Sequence, residues 1–164
     1  MKKLPLLLAC VALAGCDYTV PLAEKPALKI DAALVGLWQR PKDHGQIERL
    51  LVLPLNEREY MISFPSDSKD AMFAKACLCR AGELTIVQLE WFGTAKGGLP
   101  EDRRVFQFAD YSVAGDALTV RLLNTEVVNK ELKSSGELAK AIADNRAKPD
   151  LFRDKMVFTK VKGN

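Results

Sequence analysis

The chain contains one histidine, His44, in the loop-like stretch Pro41-Lys42-Asp43-His44-Gly45-Gln46. A lone imidazole in a turn excludes a histidine zinc cluster, and any Ser-His-Asp arrangement would have to recruit it from that turn. Other marks of catalysis are missing too. There is no Gly-x-Ser-x-Gly, no phosphate loop and no Gly-x-Gly-x-x-Gly, and the Gly97-Gly98 pair reads as a turn. Asp67-Ser68-Lys69-Asp70 lacks the alternating oxygens and the glycine of a calcium loop, and no pair of carboxylates stands out for glycoside cleavage. The expectation is a protein that is not an enzyme, with no catalytic residue, no metal and no cofactor. An excess of one charge is lacking as well: 24 Lys and Arg against 21 Asp and Glu give a formal +3, and Lys2 and Lys3 at the extreme N-terminus account for two of the three. The tight basic pair Arg103-Arg104 adjoins Glu101 and Asp102, so these charges read as a solvated face and nucleic acid is not an expected partner. No long apolar run is present either; Leu4 to Ala14, interrupted by Pro5, falls short of the ~20 residues that span a bilayer as a helix.

That short run has another reading. Lys2 and Lys3 form a positive head before it, the layout of a cleaved signal peptide over residues 1–15. Its exit, Leu13-Ala14-Gly15-Cys16, resembles the lipobox of bacterial lipoproteins. The resemblance implies that Cys16 receives a diacylglyceryl thioether, that the chain is cut before it, and that its new amine is acylated with a fatty acid such as palmitate. At roughly 0.8 kcal/mol per buried methylene, two or three chains hold a domain stably on a membrane. The implied localisation is the bacterial cell envelope, facing the periplasm. Asp17 resembles the inner-membrane retention signal of enteric lipoproteins, although other bacteria read that position differently and the choice of membrane stays open.

Removal of residues 1–15 leaves 149 residues, about one domain. Residues 16–30, with Pro21 and Pro26 and no sustained period, read as a lipidated N-terminus and extended tether, and residues 31–164 as the folded domain. Two cysteines then belong to the fold, Cys77 and Cys79. In a strand they share a face with Cα atoms ~6.6 Å apart, near the upper limit for a disulfide. Two small side chains packed in a strand are the simpler reading; the oxidising compartment keeps a strained bridge open.

Within the domain, Asp31 caps a short turn that closes at Gly36, and strands are expected at 36–40, 46–55, 59–65, 71–80, 84–92, 103–113, 117–124 and 155–162. Links of hairpin length, such as Asn56-Glu57-Arg58 and Ala114-Gly115-Asp116, argue for an antiparallel meander. One segment breaks the series. Ser134 stands three residues before Glu137 as a capping box, and Leu138, Ala141 and Ile142 form one stripe before Pro149, so a helix of about three turns precedes the last strand. Closing eight strands removes exposed edges, and the fold class expected is all-β, an eight-stranded antiparallel up-and-down barrel with room for side chains or one small ligand.

Gly36-Leu37-Trp38, at the start of the first strand behind a short helical turn, resembles the entry signature of lipocalins and the wider calycin group. The resemblance implies a tryptophan plugging the closed end beneath a cation from the last strand, which Lys160 or Arg153 would supply. Trp38, Tyr60, Phe64, Phe106 and Phe108 are the candidate lining of a cavity. In the fifth strand either Gln88 and Glu90 or Val87, Leu89 and Trp91 turn inward; the second choice is preferred, because burying an unpaired carboxylate is costly. The functional expectation is a lipoprotein anchored through Cys16 whose barrel binds a small apolar or amphipathic ligand. The alternative is a solid barrel serving as subunit or inhibitor of an envelope protein complex, signalled by a contiguous apolar patch outside.

Overall fold

A computed structural model describes residues 17–98 and 104–163; the signal-peptide and lipobox residues, Cys16 included, lie outside the described residues. Eight strands form one closed antiparallel barrel in simple sequence order: β1 (Gly36–Pro41), β2 (Ile47–Pro54), β3 (Glu59–Phe64), β4 (Met72–Ala81), β5 (Leu84–Thr94), β6 (Phe106–Ala114), β7 (Ala117–Leu123) and β8 (Phe152–Lys160). A helix, α1 (Ser135–Asp144), precedes β8. The expected barrel, and the helix before its last strand, are thus both present. The ladder is closed by two register pairs, Trp38 with Lys160 and Gln39 with Thr159.

Local chemistry sets these elements. Asp31 accepts a hydrogen bond from the Ala33 amide and starts a 3-10 turn over Ala32–Leu34. Ser134 caps α1 through the Glu137 amide, and the Glu137 carboxylate reaches back to the Lys133 amide. β8 begins at Phe152, three residues earlier than the alternation indicated, with Asp154 at φ 55° inside it and a register irregularity against β7.

Two cores result. Inside the barrel, Trp38, Val52, Tyr60, Ile62, Leu118 and Phe158 pack together with Ala74 and Ala76. The second core lies outside, on β4, β5 and β6, where Cys77, Cys79, Ile86 and Phe108 are covered by Leu138 and Ile142 of α1 and by Tyr18 and Leu22 of the N-terminal segment. The segment read as a tether is therefore docked. Tyr18 pairs with Phe106 through backbone hydrogen bonds in both directions, and its hydroxyl donates to the Val128 carbonyl at 2.8 Å. The physical reason is its composition: Tyr18 and Leu22 bury apolar side chains that a free tether would leave in water.

Candidate functional site: the barrel interior

The 3-10 turn closes one end. Trp38 is fully buried there, its indole N–H donating to the Leu34 carbonyl at 2.8 Å. Lys160 lies over its ring with Nζ 5.0 Å from the centroid, so Lys160 is the cation of the floor, while Arg153 instead pairs with Glu126 and Asp154. Gly36 has φ +142°, and a Cβ on it would sit 2.9 Å from Lys160 Cε. Glycine at the head of Gly-x-Trp is required by the backbone, and a side chain there would also push the flexible end of Lys160 aside. Asp31 ties the turn to the wall. The Tyr111 hydroxyl donates to its carboxylate at 3.1 Å, its amide donates to the Tyr60 hydroxyl at 2.6 Å, and that hydroxyl donates to its carbonyl at 3.2 Å. Burial pushes both phenols above the ordinary tyrosine range, and the negative charge of Asp31 adds to it.

Above this floor the interior holds an apolar cavity of about 110 Å³. Tyr60 and Phe64 line it from β3, Val87, Leu89 and Trp91 from β5, and Met156 and Phe158 from β8. The space exists because inward positions of β4 and β6 carry Ala74, Ala76 and Ala109 where larger side chains would fill it. Trp91 and Gln107, on neighbouring strands, line this space together, and the surface they and the other residues present to it is almost wholly apolar. Gln107 of β6 is directly opposite Leu89, and the Trp91 amide bonds to the Val105 carbonyl, which makes Trp91 and Gln107 diagonal neighbours on one face. The Trp91 indole Nε1 is closed off from both water and the cavity space and has no partner among the described residues. At the end away from the floor, Arg40 lies against the Phe64 and Phe158 rings, 5.8 and 5.3 Å from their centroids, where the two rings meet edge to face, and its Nε donates to Glu48 at 2.7 Å. The buried Glu48 carboxylate is thus paired, with Lys42 a second cation 3.5 Å away.

Of the five aromatic residues named for a cavity, Tyr60 and Phe64 line it; Trp38 is buried in the same inner core but does not line the cavity, whose nearest residue of the 3-10 turn is Leu34. Phe106 and Phe108 do not. Both point outward into the second core, where Phe108 meets Tyr18 edge to face at 5.2 Å. Their face is apolar because α1 and the N-terminal segment cover it, whereas Gln107, Ala109 and Tyr111 turn inward. In β5, Val87, Leu89 and Trp91 do face inward; Glu90 pairs with Lys75 outside. Gln88 also faces out but is buried, accepting from the Leu22 and Ala23 amides and donating to the Ala23 carbonyl.

Cys77 and Cys79 are free, buried thiols beneath the docked segment, with sulfurs 3.6 Å apart. The hydrogen bond from Cys79 favours the Cys77 thiolate, and the same contact, with burial, pushes Cys79 up. His44 is exposed in the β1–β2 link, and no group of three or more His, Cys, Asp or Glu side chains suited to a metal is found among the described residues. No helix among them is long and apolar enough to cross a membrane. No protein-family model and no curated protein matches the chain.

Proposed function

We propose that this protein is a lipoprotein of the bacterial envelope, anchored through lipid on Cys16 and facing the periplasm, whose barrel binds a small apolar or amphipathic ligand without turning it over. The observation that carries the binding reading is the apolar cavity of about 110 Å³ above a sealed floor. Its size is of the order of the ~150 Å³ apolar cavity that stays dry and takes up benzene. It suits a small apolar molecule, or one stretch of a longer chain whose remainder leaves the barrel. The floor is at the Gly36 end of β1, so entry is from the opposite end, where Arg40 and Glu48 stand. Asp17, the residue after Cys16, is bonded through its amide to the carbonyl of Phe106, the first residue of β6, and β6 also starts at that end. Lipid on Cys16 therefore turns the entrance toward the membrane, which is where an apolar ligand would be found.

The test is palmitate labelling and native mass spectrometry of the full chain purified from a bacterial envelope, with detergent released in the gas phase. Label lost in Cys16→Ser and a discrete extra mass that solvent extraction removes are expected. Label retained by Cys16→Ser overturns the anchor. A bare chain mass, unchanged when short-chain lipids are supplied, overturns the ligand.

The outer surface gives the second reading one specific observation. Leu53 and Leu55 are exposed at the end of β2, beside outward Leu37, Leu51 and Met61 on β1 to β3. Pull-down of a single envelope protein, lost in Leu53→Lys, would favour a subunit role over a carrier.

A further inference from the structure

From the short path between Cys16 and the barrel, and from the apolar side chains at that end, we infer that the entrance rim is seated in the membrane interface. Phe92 and Ile47 touch lipid there, and the barrel opens directly onto the bilayer. The inference rests on the lipid anchor at Cys16 proposed above and names the surface on which the entrance docks.

No linker separates the anchor from the barrel. Tyr18 is fully buried, its amide and that of Asp17 both donate to the Phe106 carbonyl at 3.1 Å, and the Phe106 amide donates back to the Tyr18 carbonyl. Arg104 Nη1 donates to the Asp17 carbonyl at 2.9 Å. Cys16 is the next residue, and one residue reaches only ~3.6 Å. Lipid on it therefore holds the start of β6, and the entrance end with it, against the headgroups. Five large apolar side chains stand exposed among the described residues: Ile47, Leu53, Leu55, Phe92 and Val157. Leu53 and Leu55 belong to the floor end of β2, and Val157 lies within β8. Ile47 and Phe92, 54 % and 50 % exposed, are at the entrance end. Ile47 opens β2 directly opposite Pro41, which is also exposed. Phe92 stands near the end of β5 and points outward, since Trp91 before it lines the cavity. β3 and β4 lie between β2 and β5, so the two side chains are spread around the rim, with the anchor on β6 beside Phe92. An aromatic and a branched aliphatic side chain held at that level are stabilised by sinking into the boundary between headgroups and acyl chains. The charges of the rim do not oppose this, because they pair with one another: Glu48 with Arg40 and Lys42, Asp67 with Arg49, Asp70 with Lys96. The seating thus depends on apolar contact and not on anionic lipid.

The test is nitroxide labelling of the full chain, purified from a bacterial envelope and reconstituted in phosphatidylcholine vesicles. Ile47→Cys, Phe92→Cys and, as the floor-end reference, Leu55→Cys each supply one exposed thiol on a Cys77→Ala, Cys79→Ala background. Depth is read from spin relaxation by oxygen, which concentrates among acyl chains, against relaxation by a nickel chelate, which stays in water. Labels at 47 and 92 are expected to respond more to oxygen than to nickel, and the label at 55 the reverse. Replacing half the lipid by phosphatidylglycerol, or raising the salt, should change neither result. Phe92→Asp, at a site the core does not use, should draw the label at 47 back toward water. A label at 47 or 92 as open to nickel as the one at 55, on a chain that stays with the vesicles, overturns the seating and leaves the anchor standing. A label at 55 among the acyl chains overturns the orientation. Seating that appears only with phosphatidylglycerol overturns its apolar basis, and a label at 47 unmoved by Phe92→Asp overturns the part given to Phe92. A chain that does not stay with the vesicles overturns the lipid anchor itself.

Discussion

Replacing Gly36 by alanine tests the floor of the barrel. Two costs add. At φ +142° an L-residue is strained by about 1–3 kcal/mol. The new methyl would stand 2.9 Å from Lys160 Cε, a contact that real Cβ atoms essentially never show, so the flexible end of the lysine must shift from its place over Trp38. Losing that cation from the indole face removes a further ~0.5–2 kcal/mol. The expected destabilisation is about 1.5–5 kcal/mol in urea melts followed by tryptophan fluorescence, with the slope unchanged. A cycle with Lys160→Met divides the two causes. The single Lys160→Met change should cost about 1 kcal/mol, and Gly36→Ala placed on it should cost less than in the parent, because a thioether end yields more easily. A Gly36→Ala cost below about 1 kcal/mol would refute the argument that glycine is required there, and a cost unchanged on Lys160→Met would remove lysine crowding from it.

Gln88→Leu should release the N-terminal segment: it leaves the Leu22 and Ala23 amides and the Ala23 carbonyl without partners, a loss of about 2–4 kcal/mol. Faster amide exchange at Leu22 and Ala23 than in β4 is the readout, and unchanged exchange sinks the clamp. The three tyrosines, Tyr18, Tyr60 and Tyr111, are all held above their ordinary value of 10, mainly by burial. Because the unfolded chain loses these protons first, their contribution to stability is complete below pH 10 and falls as pH rises beyond it. Phenolate absorbance should therefore grow together with the loss of circular dichroism, and tyrosinate in a folded barrel at lower pH would contradict it. Cys77 and Cys79 should react with a thiol reagent in the denatured protein and hardly at all in the native one; rapid native labelling would mean that the docked segment opens.

Much of the architecture was legible because several strands have one face whose alternation is clear, as in Tyr60, Ile62 and Phe64 of β3, and because Ser134 and Glu137 mark the helix start chemically. The site was legible in part. For β5 the cost of burying Glu90 chose the inner face correctly. For β6 the rule that large apolar side chains turn inward fails, since Phe106 and Phe108 lie outside and Gln107, Ala109 and Tyr111 inside. A strand buried on both faces has no such contrast. The missing signal was in β4, where Cys77, Cys79 and Ala81 alternate with Ala76 and Leu78: apolar side chains on both faces, small ones outward, mean that something packs closely on the outside. Tyr18 and Leu22, too apolar for a free tether, were the other half of that signal.

The outer layer also bears on how an interior of this kind is sustained. At roughly 24 cal/mol per Å³, a cavity of about 110 Å³ costs the barrel on the order of 2–3 kcal/mol, and the unpaired indole of Trp91 adds about 1–3 kcal/mol. An isolated barrel of this size would carry that loss against a thin margin. Leu138 and Ile142 are fully buried on the outer wall, and each contributes roughly 1.5–3 kcal/mol, with Tyr18 adding a comparable amount. The outer core thus offsets what the inner one lacks. It follows that Leu138→Ala should weaken the whole fold by about 2–5 kcal/mol while leaving the cavity lining untouched, and that a saturating ligand should restore part of the loss. Stabilisation by a saturating ligand that is equal in Leu138→Ala and the parent would locate the two roles in two separate layers of one barrel.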